Sequence, residues 1–233
     1  MIKKFNALPE KARHILTISL IGFIVCLPAL ISHFPDTQDT IFAYMAFRSF
    51  SSQFFQGEIY PRWLFDFYNG YGAPMFYYYP PLPFYFETCL DFITFRMLPG
   101  LLILGITGTT LIIGSGLACY AWLKNLFDGK RAVLPAIIYM LLPNHLAIDF
   151  YLKGTLTELS TYLWMPLLFL FIQKSFYRPN AWIVVALLYA AFITSTVPLA
   201  VAFTPLLLFY IGFECYNHYL KREKFEAYYL SSL

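Results

Sequence analysis

The sequence predicts an all-α fold: a polytopic transmembrane bundle of about six spans, with amphipathic juxtamembrane helices in a long first outer loop. Three observations carry this expectation. Of 233 residues, 59% are hydrophobic and 12% charged, and mean hydropathy is +0.60, whereas a soluble domain has roughly 25% charged residues. Six apolar stretches recur, near 15–33, 99–123, 132–148, 156–173, 181–196 and 198–216, each near the roughly 20 residues that cross a bilayer as a helix. The aromatic share is 21%, which suits a large membrane–water boundary where amphipathic rings settle. This balance excludes an ordinary soluble enzyme, a disordered chain and a nucleic-acid binder with a basic face.

The basic N-terminus, MIKKFNALPEKARH, precedes the first apolar run. No A-x-A-like cleavage site follows a short core, so the run reads as an uncleaved span. The next apolar segment, 81–98, contains Glu87, Asp91 and Arg96. Each charge at a bilayer centre costs roughly 2.5–3.5 kcal/mol on insertion scales. This segment therefore reads as a helix at the outer surface. With that choice, twelve of the sixteen Lys and Arg residues fall on the inner side, while Arg48, Arg62, Arg96 and Lys153 fall outside. This is the positive-inside bias of six spans with both termini inside. Asp36, Asp39, Glu58, Asp66, Glu87, Asp91, Asp149 and Glu158 gather on or near the outer side, which puts any base catalysis or cation binding there.

One membrane domain is expected over 1–233, with outer loop 1 at about 34–98 and outer loop 2 at about 149–157. In the first loop, Ile41, Phe42, Met45, Phe50, Phe54 and Phe55 recur at helical spacing over 38–56, as in an amphipathic helix lying along the membrane. The chain then turns through Tyr60, Pro61, Arg62 and Trp63. Asn69–Pro74 has the Gly and Pro density of a fixed irregular loop, and an aromatic run with three prolines follows from Met75 to Phe86.

Asp36 and Asp39 follow the first span. Asp36 reads as a cap for the next helix; Asp39 reads either as a solvated exit from the bilayer or as a base or cation ligand. Glu158 begins a span, where the helix dipole favours an anion. Lys153 either snorkels or binds a phosphate as a point charge. Arg62 and its aromatic neighbours read as an interfacial belt or as a platform for an anionic head group and a sugar ring. His33 and His145 lack close ligand spacing, and Cys26, Cys89, Cys119 and Cys215 lie singly, as buried structural cysteines do.

The ordered set of Asp39, Gly57-Glu-Ile-Tyr-Pro-Arg-Trp63, Asn69-Gly-Tyr-Gly-Ala-Pro74 and Tyr79-Pro-Pro-Leu-Pro-Phe-Tyr85 resembles the bacterial membrane proteins labelled 6-pyruvoyl-tetrahydropterin synthase-related, in the GT-C glycosyltransferase-like superfamily. Tyr151–Glu158 and Met165–Leu168 are similar to that family's second outer loop and following span. The resemblance covers roughly 15–210. It implies a glycosyltransferase that moves a sugar from a polyprenyl-phosphate donor to an acceptor on the outer face of the membrane, in the cell envelope. It implies Asp39 as the catalytic base or metal ligand, with a divalent cation as the one conceivable cofactor. Arg62, Lys153, Glu158, Trp63, Tyr60 and Tyr79 are the implied substrate-binding set. The rival reading is a non-catalytic polyprenyl-lipid-binding or transport component, or an inactive module of a larger assembly. Three departures stand out. Ala43 replaces a His four residues after the Asp, and Thr194-Ser-Thr-Val-Pro198 replaces a His-containing turn. Family members also continue with further spans, so the resemblance leaves a compact homologue, a truncated gene product or one piece of a split protein, with another membrane subunit as a conceivable partner. Membrane lipid is an expected partner; nucleic acid is not.

Overall fold

A computed structural model describes residues 9–31, 38–178 and 180–231. It is all-helical, about 80% helix, with no strands among the described residues. Chain order gives α1 Glu10–Ile31, α2 Gln38–Phe55, α3 Leu82–Ile93, α4 Gly100–Leu123, α5 Gly129–Met140, a π-helical segment Asn144–Lys153, α6 Leu156–Ser175, α7 Ala181–Ser195 and α8 Val197–Ser231. Five helical stretches are long and apolar enough to cross a membrane: Glu10–Ile31, Gly100–Leu123, Gly129–Lys153, Leu156–Ser175 and Val197–Leu220. The sixth apolar stretch, α7, is a helix of 15 residues, about 22 Å long at 1.5 Å per residue and shorter than a bilayer core of about 30 Å.

Helix α4 is the hub, packing against α1, α5 and α6. Small residues permit this closeness where bulk would separate the backbones. A Cβ on Gly105 would lie 3.1 Å from the Ala29 carbonyl oxygen, and one on Gly108 only 2.5 Å from the Phe150 ring. Polar side chains fasten the second half: Trp164 Nε1 donates to Ser195 Oγ at 3.0 Å, linking α6 to α7. Trp122 Nε1 donates to the Tyr210 hydroxyl at 3.2 Å, linking α4 to α8.

The expected helix over 38–56 is α2, but its packing differs from that of a helix floating on a membrane. Phe47 and Phe50 are fully buried, while Ile41, Phe42 and Met45 stay exposed. Phe50 meets Phe76 and Tyr85 edge-to-face, each at 4.9 Å between ring centroids, the arrangement that aligns a positive ring edge with a negative face. Phe76 meets Phe84 at 4.9 Å in turn. The segment between α1 and α4 thus has an aromatic core of its own, between α2, α3 and the turn Met75–Tyr77.

The irregular loop is pinned by its backbone. Leu64 and Ala73 exchange hydrogen bonds of 2.8 and 3.0 Å, closing a tight turn through Tyr68, Asn69, Gly70 and Gly72, all at positive φ. Trp63 lies flat on Gly72, where an added Cβ would fall 2.2 Å from the indole nitrogen. Residues 149–153, expected in the second outer loop, instead complete the π-helical segment. Gly154 ends it in the left-handed conformation, φ 70, which glycine adopts at no steric cost, and only Gly154 and Thr155 separate it from α6.

Candidate functional site: an acidic cavity with aromatic walls

A cavity of about 320 Å³ opens where α2, α3 and the start of α6 meet. Asp39 and Ala43, one helical turn apart on α2, line one side. Tyr79, Pro83, Phe84 and Glu87 line another, and Thr155–Glu158 close the third. The wall is aromatic: Phe42 faces Tyr79 at 6.4 Å and Tyr79 faces Phe84 at 6.1 Å, both edge-to-face. Three lining residues are acidic (Asp39, Glu87 and Glu158), and among the described residues none lining it is basic. Three of the seven site residues read from the sequence, Asp39, Tyr79 and Glu158, therefore meet in one cavity.

Glu87 is absent from the site residues expected from the sequence, where it counts as a charge that keeps 81–98 out of the bilayer and as one of eight acids gathered on one side. Pro83, Phe84, Glu87, Thr88 and Asp91 form the buried face of α3, so the helix carries two carboxyl groups, one turn apart, into its packing side. Glu87 is 1% exposed, and its Oε2 has no hydrogen-bond partner. Burial pushes its carboxyl well above the ordinary carboxylate range, because a low-dielectric setting disfavours the charged form. Asp91 is compensated better: Ser51 Oγ donates to its Oδ2 at 3.0 Å, and Arg96 Nε lies 3.7 Å from that oxygen. The signal legible in the sequence is an acid at the helical spacing of a packing face, which burial makes costly without a partner.

Glu158 sits in the first turn of α6. Its Oε2 accepts a hydrogen bond from Lys153 Nζ at 2.9 Å and a long one from the Thr155 hydroxyl at 3.5 Å. Lys153 Nζ also lies 3.6 Å from Asp149 Oδ1. The lysine thus bridges two carboxylates, and the trio carries net negative charge when all three are ionised. The Tyr162 hydroxyl donates to Asp149 Oδ2 at 3.2 Å, and Asn144 Nδ2 is 3.4 Å from the same oxygen. His145 stacks on Tyr162 with ring centroids 4.0 Å apart. This polar network is made by the π turn, whose five-residue periodicity sets Asn144 and Asp149 side by side; such turns concentrate at functional sites.

Arg62, Tyr60 and Trp63 are not brought into the cavity. The Tyr60 hydroxyl donates to the Phe76 carbonyl at 2.7 Å, and Phe76 N donates to the Arg62 carbonyl at 3.1 Å. The Arg62 guanidinium lies 5.3 Å from the centre of the Tyr77 ring, a cation–π contact. These three residues build the loop, and Arg62 is exposed on it. Asp36 and His33 lie outside the described residues. Among the described residues, no three His, Cys, Asp or Glu side chains group closely enough to hold a metal ion; the cavity carboxyls are spread around its wall. The four cysteines are unpaired thiols, Cys26 and Cys119 buried, Cys89 and Cys215 exposed.

Fold and cavity together define the class: a helical protein with several membrane-spanning stretches and an acidic, aromatic-walled cavity at one end of the bundle. No protein-family model, no curated protein and no solved structure matches the chain.

Proposed function

We propose that the protein is a GT-C-like membrane glycosyltransferase that takes a sugar from a polyprenyl-phosphate donor and transfers it to an acceptor on the outer face of the cytoplasmic membrane. The observation that carries the reading is the meeting of Asp39, Tyr79 and Glu158 in one cavity of about 320 Å³, a volume suited to a sugar. In this reading Tyr79 and Phe84 hold the sugar ring. Asp39 removes the proton of the acceptor hydroxyl as its oxygen bonds to the anomeric carbon. The bond from that carbon to the phosphate oxygen breaks, and its electron pair leaves with the polyprenyl phosphate. Arg62, exposed on the adjoining loop, offers positive charge to the phosphate. Lys153 joins it where the phosphate displaces Glu158.

Occlusion tests the proposal. Ala43 lines the cavity one turn from Asp39, so Ala43→Trp fills the space beside the base without removing any charged group. Transfer from a polyprenyl-phosphate sugar should stop while protein level and melting temperature hold. Full transfer by Ala43→Trp would overturn the assignment of this cavity.

A further inference from the structure

The charge of the cavity restricts what can enter it. Asp39, Glu87 and Glu158 line it and, among the described residues, no basic side chain does; the nearby Lys153 is paired with Glu158 and Asp149. An anionic phosphate inside would face Asp39 and the net-negative trio of Asp149, Lys153 and Glu158 with no basic lining residue to offset them, which is repulsive in a partly buried site. In the transferase reading the phosphate stays outside the lining, on the side of Arg62 and Lys153. A chelated metal is poorly served too, because the acidic groups do not converge as a ligand set. The aromatic wall of Phe42, Tyr79 and Phe84 adds the second half of a recognition pattern. Ring faces attract a desolvated cation, and a carboxyl oxygen without a protein partner, Glu87 Oε2, awaits a hydrogen-bond donor. A buried polar group left alone is costly, and a ligand N–H relieves it.

We propose that the cavity binds a primary ammonium group, carried by an amino sugar or by an ethanolamine head group, with the nitrogen at the Glu87 carboxyl, Asp39 and Glu158 supplying negative charge from the surrounding wall, and its carbon substituents against Phe42, Tyr79 and Phe84. This deepens the transferase reading by naming the class of group its cavity accepts, and it rests on that reading only for the location of the site. Binding needs no transfer. Burial raises the free Glu87 carboxyl, so the ammonium displaces a proton from it and completes the ion pair.

The test measures binding, so a protein that binds amines and transfers nothing leaves this proposal standing while removing the transferase. The purified protein in nanodiscs is titrated with glucosamine and with N-acetylglucosamine. It is also reconstituted with phosphatidylethanolamine and, separately, with its N-acetylated form, and lipid retention is read by native mass spectrometry. At least one amine should bind about tenfold or more tightly than its acetylated twin. Glu87→Gln should erase that preference, and Asp39→Asn should weaken it in a variant altered only at an exposed position. Preference confined to the sugar pair identifies a sugar amine; preference confined to the lipid pair identifies a head group. Equal binding of amine and amide in both pairs, or binding of neither, would overturn the proposal, and the wild-type comparison alone decides it if Glu87→Gln does not fold.

Discussion

The Lys153 ammonium lies 2.9 Å from Glu158 Oε2, so the cation that ends the π-helical segment is paired across the Gly154 turn with an acid in the first turn of α6. Its other neighbour, Asp149, is nearly buried, with 5% side-chain exposure, whereas Lys153 and Glu158 are 44% and 39% exposed. Partial exposure screens the Lys153–Glu158 pair, so Lys153→Met should cost less than about 1 kcal/mol in stability. Asp149 and Lys153 should nevertheless be coupled: Asp149→Asn should be less damaging in a Lys153→Met background than alone. A double-mutant cycle of thermal unfolding checks this, and strict additivity would show that the two groups do not interact.

Glu87 gives the fold a pH dependence. Its native carboxyl titrates well above the ordinary value of 4.5, so the native state holds the proton to higher pH than the unfolded chain does. Its contribution to stability is fully present below the ordinary carboxyl range and is lost as pH rises toward the native titration point. Glu87→Gln keeps the shape and cannot ionise. The melting temperature of Glu87→Gln minus that of wild type should grow between about pH 5 and about pH 8; parallel curves would count against a buried, uncompensated carboxyl.

Two glycines of the irregular loop differ in a way that separates strain from crowding. Gly70 and Gly72 both have positive φ, 92 and 79, but a Cβ on Gly70 meets nothing within 4 Å while one on Gly72 strikes the Trp63 ring. Gly70→Ala should cost about 1 kcal/mol of backbone strain, and Gly72→Ala about 1–3 kcal/mol together with displacement of the indole. Trp63 fluorescence should shift in Gly72→Ala and not in Gly70→Ala.

The aromatic core between α2 and α3 is closed by its own side chains. Phe50 is fully buried against Phe76, Phe84 and Tyr85, so Phe50→Ala should cost about 3–5 kcal/mol. Limited proteolysis should then cut the 57–80 region first, because the turns there are held onto α3 by Tyr85, whose hydroxyl donates to the Ile59 carbonyl at 2.7 Å.

The long apolar helices were legible because a bilayer-length run is bounded sharply by charge, Gly and Pro. The stretch at 99–123 is Gly100–Leu123, and that at 156–173 is Leu156–Ser175. Helix α3 was legible as a non-spanning helix from the three charges of 81–98, two of which, Glu87 and Asp91, lie within it. The π segment was not: 132–148 reads as one apolar span that gives way to a loop at about 149, and i→i+5 hydrogen bonding leaves no distinct hydrophobic signature to detect. Of the cavity, Asp39, Tyr79 and Glu158 were found from motifs, while Glu87 needed the packing of α2 on α3 to separate a buried acid from a solvated one. Tyr60 and Trp63 carried an aromatic signal that the fold uses for loop construction, which no count of aromatic residues can distinguish from a binding platform.

The central claim is that Asp39 serves as the base of a sugar transfer in this cavity. The most direct measurement follows sugar transfer from a panel of polyprenyl-phosphate sugars to acceptor alcohols, by purified protein in nanodiscs, with wild type beside Asp39→Asn. The account predicts transfer from at least one donor by wild type and a loss of about a hundredfold or more in Asp39→Asn. Transfer at the wild-type rate by Asp39→Asn would contradict the role of Asp39, and no transfer by wild type from any donor would contradict the assignment as a transferase.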